Sequence, residues 1–392
     1  MREEGPGDRT ASIRPSLIPP PPRRQVIKLG TLRWRVVALF LSLGLAAICL
    51  GQAFLLSSSQ WDLKIWWAMG NAFRAGRSPY IVEGGLPFIY PPIAVPLLAP
   101  LSLLPFEAAI AAWMLLKLCA LAGLVAIWRQ FVEIRGTALE VLYFLFAFGS
   151  ALTIDFVAGN PCTFEQLGLW LGLLALSRGR IFWFCAAVVA TAQLKISPAL
   201  MLGALLLVPK EPRWGAFAAA SGAFLGLLGL QRLLAPEWFA QFITRSLMVD
   251  ERGPDNPSLY GLIRDLAPDP RLSVLIWGAA VVLVAALSLR AARRGSGDVR
   301  VRVLLATVVY ALIAPRFMDY SYELLLPTGL YFLRRPGLTV PVAAAIALPL
   351  PRGARLLTQA GRVLQNYYPL ACALGLFALL LDEVGAPLTD TR

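Results

Sequence analysis

Apolar residues in this chain fall in long blocks rather than alternating with polar ones. Residues 36–56 are uncharged and mostly apolar, and similar runs follow at 106–128, 138–154, 164–177, 181–194, 197–208, 214–234, 272–292, 302–314, 321–333, 338–350 and 366–381. A helix needs about 20 apolar residues to cross roughly 30 Å of hydrocarbon. The pattern therefore predicts an all-α, polytopic transmembrane bundle of about 12 membrane segments. Several runs are too short for an upright helix, so some are expected to be broken, tilted or re-entrant. The Pro-rich, polar stretch 1–33 reads as a disordered cytoplasmic tail, 34–381 as one membrane domain, and 382–392 as a C-terminal tail. A cleaved signal peptide is the rival reading of the first run, whose length favours an uncleaved helix.

Basic residues orient the bundle. The first 35 residues carry eight Arg or Lys against three acids, which places them in the cytoplasm under the positive-inside rule. Arg290, Arg293, Arg294, Arg300 and Arg302 mark a second cytoplasmic loop, with Arg178 and Arg180, Lys210 and Arg213, and Arg334 and Arg335 marking others. Parity among these loops holds if residues 92–104, with three prolines, enter the membrane without crossing it. The segment 351–365, with Arg352, Arg355 and Arg362, then falls outside, against the rule. Outer loops at 57–91, 155–163, 235–271 and 314–320 hold the mixed charge and aromatics where function is expected.

Composition narrows the chemistry. A hydrophobic share of 58%, a charged share of 15% and a mean hydropathy of +0.66 exclude an ordinary soluble domain. The net charge of +13 then reflects topology, and nucleic acid is not an expected partner. There is no histidine, so acid–base work falls to carboxylates, Lys or Tyr. Cys49, Cys119, Cys185 and Cys372 lie in apolar runs and Cys162 alone in a loop, so no disulfide framework is expected. No phosphate loop, metal-ligating cluster or Asp-x-Asp element is visible, and neither a cofactor nor a metal is expected.

In the first outer loop, Ile65, Met69 and Phe73 form an apolar stripe at helical spacing, which predicts a helix lying in the membrane interface. Asp62 stands at its start, where it either caps the helix or presents a carboxylate to a site at membrane-surface depth. Lys195 interrupts two apolar stretches just before Pro198. An ammonium at such a break either snorkels to the interface or meets an anion. Arg316, Asp319 and Tyr320 interrupt two further runs, as a turn-stabilising ion pair or as a binding element. Asp155 and Asn160 fit a turn, and Asn256 ahead of Arg264 fits a turn followed by a helix.

These segments, in this order, resemble glycosyltransferase family 87, membrane transferases of the GT-C class. The matching pieces are Asp62, residues 76–80 (GRSPY, with Tyr80), 88–92 (FIYPP, with Tyr90), Leu104-Pro105, Gly159-Asn160, 194–198 (LKISP), 256–259 (NPSL) and 315–320. Asn160 stands where the family often has Gln, and Asp319 where a His often precedes the tyrosine. The resemblance implies a hexosyltransferase of a bacterial inner membrane that takes a sugar, mannose or a similar one, from a polyprenyl-phosphate donor. It implies inverting transfer to a lipid or glycan acceptor on the outer face, with Asp62 as the general base. Lys195, Arg316 and Arg264 are the cations available for the departing phosphate, and Tyr80, Tyr90, Asn160, Asn256, Asp319 and Tyr320 complete the expected substrate site. A transporter or flippase of lipid-linked sugars is the alternative, since intramembrane charges and broken helices also mark transport paths. A noncatalytic membrane scaffold is a third.

Overall fold

A computed structural model describes residues 60–81, 88–250, 252–294, 298–334 and 359–385, with isolated positions 40 and 44. The expected tail at 1–33, the rest of the first run, the run at 338–350, residues 351–358 of the discordant basic segment and the end of the C-terminal tail at 386–392 lie outside them.

Every described element is helical. In chain order they are α1 (Trp61–Arg74), α2 (Ala94–Leu98), α3 (Phe106–Trp128), α4 (Ala138–Ala158), α5 (Cys162–Ser177), α6 (Ile181–Leu194), α7 (Ala204–Leu207), α8 (Trp214–Leu234), α9 (Pro236–Met248), α10 (Leu259–Leu266), α11 (Pro270–Arg294), α12 (Val299–Ile313), α13 (Leu326–Leu333), α14 (Gln359–Asn366) and α15 (Tyr368–Gly385). Three 3-10 segments, Ala99–Leu103, Ser197–Gly203 and Asp319–Leu325, join some of them. Among the described residues, five helices meet the length and composition of a membrane crossing: α3, α4, α8, α11 and α15. The other described runs are shorter helices or are split, as at 197–208 and 321–333, where a 3-10 turn precedes a short α-helix.

Local chemistry explains the boundaries. Pro105 holds Leu104 extended (φ −93°, ψ 149°), and α3 begins directly after it. Thr137 and Glu140 form a capping box at the start of α4, satisfying amides that a helix start leaves unpaired. The interior of α4 breaks at Ala147–Ser150, where Phe148, Gly149 and Ser150 all take positive φ. Thr153 answers one freed carbonyl, its hydroxyl donating to the oxygen of Leu145 at 2.8 Å. A broken helix survives in a membrane when side chains re-satisfy its backbone in this way.

The core runs through α3 to α6, α12, the Asp319–Leu325 segment and α15. By contrast α8 and α11 leave apolar side chains outside: Leu233 is 79% exposed and Leu275 70%. Apolar faces on this scale need hydrocarbon rather than water, which identifies a membrane protein.

The end of α4 and start of α5, the end of α6, the end of α12 and the start of the Asp319–Leu325 segment converge at one end of the bundle. There α1 docks. The residues of the expected stripe meet protein: Met69 is buried, and Ile65 and Phe73, half-buried, pack against a cluster that holds Trp66, Tyr80, Phe88, Val95 and Phe242. The chain over 92–104 begins and ends beside α1. Tyr90 lies against Trp66 with ring centroids 4.1 Å apart, and the Trp67 indole donates to the carbonyl of Leu104 at 3.0 Å. An added Cβ on Gly70 would sit 2.8 Å from the Ser102 hydroxyl, so only glycine allows α1 this close to the Ala99–Leu103 segment.

Candidate active site

The site begins at the junction of α1 and α4. Gln60, in the left-handed region (φ 63°), makes no side-chain cap on α1. Its amide side chain instead donates to the carbonyls of Phe156 at 2.9 Å and Val157 at 3.3 Å, and its backbone N–H reaches Val157 O at 2.8 Å. Orphan carbonyls at the end of α4 are thereby satisfied by the residue before Trp61. Gly159 ends α4 at φ 68°, and a Cβ there would lie 2.5 Å from Gln60 Oε1 and 2.9 Å from Leu63 Cβ. Glycine is needed on both counts.

This junction sets Asp62 against Asn160. The Asn160 side-chain amide donates to Asp62 Oδ2 at 2.6 Å, and its Oδ1 accepts from the Cys162 N–H at 3.0 Å. The Asn160 carbonyl accepts from Lys117 Nζ at 2.7 Å. That ammonium also pairs with Asp155 Oδ2 at 2.7 Å, both side chains being fully buried, and it lies 4.7 Å from the centre of the Phe156 ring. The hydroxyl of Thr163 donates to the same Asp155 oxygen, and the Trp113 indole donates to Gly159 O at 2.8 Å. Asp155 is thus a buried residue inside α4 with an ion partner rather than an outer turn residue. Cys162 also departs from expectation: it is the first residue of α5 and fully buried rather than in a loop.

Burial pushes the Asp62 carboxyl up to about 6, opposed by the Asn160 hydrogen bond. The negative charge of Asp155 adds to the rise, and the positive charges of Lys117 and Lys195 oppose it. A carboxylate of this kind is largely ionised near neutral pH and is a stronger base than an exposed one.

The cations face it from other elements. Lys195, extended (φ −153°, ψ 131°), ends α6 just before the Ser197–Gly203 segment. Its ammonium lies 3.2 Å from Glu165 Oε2 on α5 and 5.6 Å from the centre of the Tyr320 ring. Tyr90 feels the charges of Asp62, Arg316 and Glu165; burial first, then Asp62, raises its phenol well above the usual range. Tyr320 likewise feels Asp62, Tyr90, Arg316 and Asp319. Asp62, Tyr90, Asn160, Lys195, Arg316, Asp319 and Tyr320 therefore form one neighbourhood.

Two other expected site residues support it from behind. The Tyr80 hydroxyl donates to Tyr90 O at 2.7 Å, which fixes the backbone beside Asp62. Asn256 Oδ1 accepts from Phe317 N–H at 2.9 Å, and the Ser258 hydroxyl donates to Pro315 O at 2.8 Å, so both flanks of Arg316 are held. Arg264, on α10 and expected as a cation for the phosphate, instead pairs with Asp250 at 3.1 Å. Asp319 accepts from the Tyr320 N–H at 2.8 Å and starts the 3-10 turn.

The sequence reading missed Lys117, Glu165 and the pairing of Asp155. Lys117 and Glu165 carried a usable signal, a lone charge inside or beginning an apolar run. A half-buried base held by the Asn160 amide and feeling the charge of Lys195 can take a proton from a hydroxyl while an anion forms nearby.

The profile of glycosyltransferase family 87 matches residues 88–318, which include Tyr90, Asn160, Lys195, Asn256, Arg264 and Arg316. Asp62 precedes the matched stretch, and its bond to Asn160 ties it to that stretch in space. A polyprenol-phosphate-mannose-dependent alpha-(1-2)-phosphatidylinositol pentamannoside mannosyltransferase from Mycolicibacterium smegmatis is 26% identical over 271 residues. That alignment covers 64% of this chain and 62% of the relative, less than two thirds of the latter's length.

Proposed function

This chain belongs to glycosyltransferase family 87, and we propose that it is a membrane glycosyltransferase that moves a mannosyl or similar residue from a polyprenyl-phosphate donor to a lipid or glycan acceptor. The similar mannosyltransferase, whose name states a polyprenol-phosphate-mannose donor, supports the donor class. The reaction lies on the outer face of a bacterial inner membrane, with the N terminus in the cytoplasm and the donor's apolar tail among the helices or in the bilayer.

The single observation that carries this reading is the Asp62 carboxylate, held by Asn160 at 2.6 Å and feeling the charge of Lys195. In the step proposed, Asp62 takes the acceptor hydroxyl's proton as that oxygen bonds to the anomeric carbon. The bond from that carbon to the phosphate oxygen breaks, its electron pair stays with the phosphate, and the configuration inverts. Lys195 and Arg316 stabilise the charge that develops there. Tyr90 and Tyr320, which both feel the charges of Asp62 and Arg316, stand beside the reacting groups.

Purified protein supplied with labelled polyprenyl-phosphate mannose and a panel of envelope lipids is expected to transfer label to at least one of them. Absence of any labelled product across the panel would contradict the proposal. Movement of the intact donor across liposomes without covalent product would support transport instead.

A further inference from the structure

The Lys195 ammonium does not face an incoming phosphate as a bare cation. Glu165 Oε2 lies 3.2 Å from it, and the Tyr310 hydroxyl donates to the other carboxylate oxygen at 3.5 Å, so the carboxylate is held from two sides. The side chains of Lys195 and Glu165 are only 16% and 7% exposed, so water screens the pair weakly. Together the two side chains bring no net charge to the place where the phosphate is proposed to sit.

The proposed reaction changes the charge on that phosphate. A sugar phosphodiester carries one negative charge. When the anomeric carbon–oxygen bond breaks, the phosphate gains one charge and the Asp62 carboxylate loses one by taking the acceptor's proton, so the total is unchanged. The leaving group is a phosphomonoester whose second ionisation lies near pH 6, so it is largely a dianion at neutral pH. A site made of cations alone would grip this product more tightly than the donor, and its release would limit turnover.

We infer that Glu165 is a specificity-determining residue that tunes the phosphate site for the singly charged phosphodiester and against the doubly charged phosphomonoester. The inference rests on the reading of Lys195 as a cation for the donor phosphate. Glu165 acts through Lys195 rather than on the reacting atoms: it keeps the ammonium in place and opposes the second charge on the product. Glu165→Gln retains the size and an acceptor oxygen for Lys195 while removing that opposition. The other ionisable groups that feel Glu165 are Cys162, Tyr90, Tyr310 and Glu323. They are common to both proteins, so at one pH the substitution itself alters only the Glu165 side chain.

The test measures binding of two short probes, farnesyl phosphate (monoester) and methyl farnesyl phosphate (diester), to detergent-solubilised protein by calorimetry. At about pH 8, Glu165→Gln is expected to bind the monoester about tenfold more tightly and the diester less than about threefold more tightly. At about pH 5.5, where both probes carry mainly one charge, the two gains should converge. Equal gains for both probes at the higher pH, or no gain for the monoester, would overturn the inference. A second measurement uses Asp62→Asn, whose side chain does not titrate between the same pH values: its preference for monoester over diester should change by less than about threefold, and a tenfold rise would contradict the inference. Failure of the wild type to bind either probe, or unchanged binding of both by Lys195→Met, would overturn the phosphate-site reading together with the inference.

Discussion

Asp62 holds its proton more tightly than an ordinary aspartate because it is largely buried, and Asn160 limits the effect by donating to it at 2.6 Å. Only the ionised carboxylate can act as a base, so kcat/KM is expected to fall as pH drops through about 6. Removing a donor to the charged form raises a carboxyl further, so Asn160→Ala should move this acid limb to higher pH. A pH–rate profile of both proteins checks the point, and an unmoved limb would count against it. The sequence singled out Asp62 as a carboxylate in the first outer loop but left a capping role open. The structure has no side-chain cap at that helix start. Its partner stands 98 residues away, beyond anything that local spacing can report.

At the scale of elements, the site depends on how α1 is fastened to the end of α4. Gly159→Ala puts a side chain into a left-handed position, at a cost of about 1–2 kcal/mol, before any clash with Gln60 and Leu63. A lower melting temperature and a fall in transfer larger than the stability loss explains are expected, since Asp62 is the nearest functional group displaced. The buried pair of Lys117 and Asp155 fastens the same corner from α3. Lys117→Met leaves Asp155 without its cation and should destabilise the protein by about 3–5 kcal/mol, whereas Lys117→Met with Asp155→Leu should recover much of that loss. Thermal unfolding in detergent distinguishes them. Element boundaries were legible where one rule dominated: the run 106–128 coincides with α3, and 272–292 lies within α11. They were not where the backbone turns inside an apolar stretch. Hydropathy is blind to dihedral angles, so the break at Ala147–Ser150 leaves only Gly149 as a trace in sequence, while Phe148 and Ser150 give no sign.

For the whole molecule, a helical membrane protein was legible because apolar composition and block length depend on no tertiary detail. The number of crossings was not, since the runs at 164–177, 181–194 and 197–208 form apolar helices shorter than an upright span, and apolar content alone does not say whether such a helix crosses. Orientation is a prediction of the basic loops. Single cysteines at Arg77, exposed just beyond α1, and at Arg293, exposed in the last turn of α11, test it in a background whose native cysteines are replaced. A membrane-impermeant thiol reagent on intact cells should label position 77 and spare position 293, and the reverse pattern would invert the topology. The transfer reaction itself is tested most directly by single-turnover mannosyl transfer from labelled polyprenyl-phosphate mannose, comparing Asp62→Asn with the wild type. The variant is expected to bind donor normally and to transfer about 10²- to 10⁴-fold more slowly. Transfer at the wild-type rate would contradict a role for Asp62 as the base.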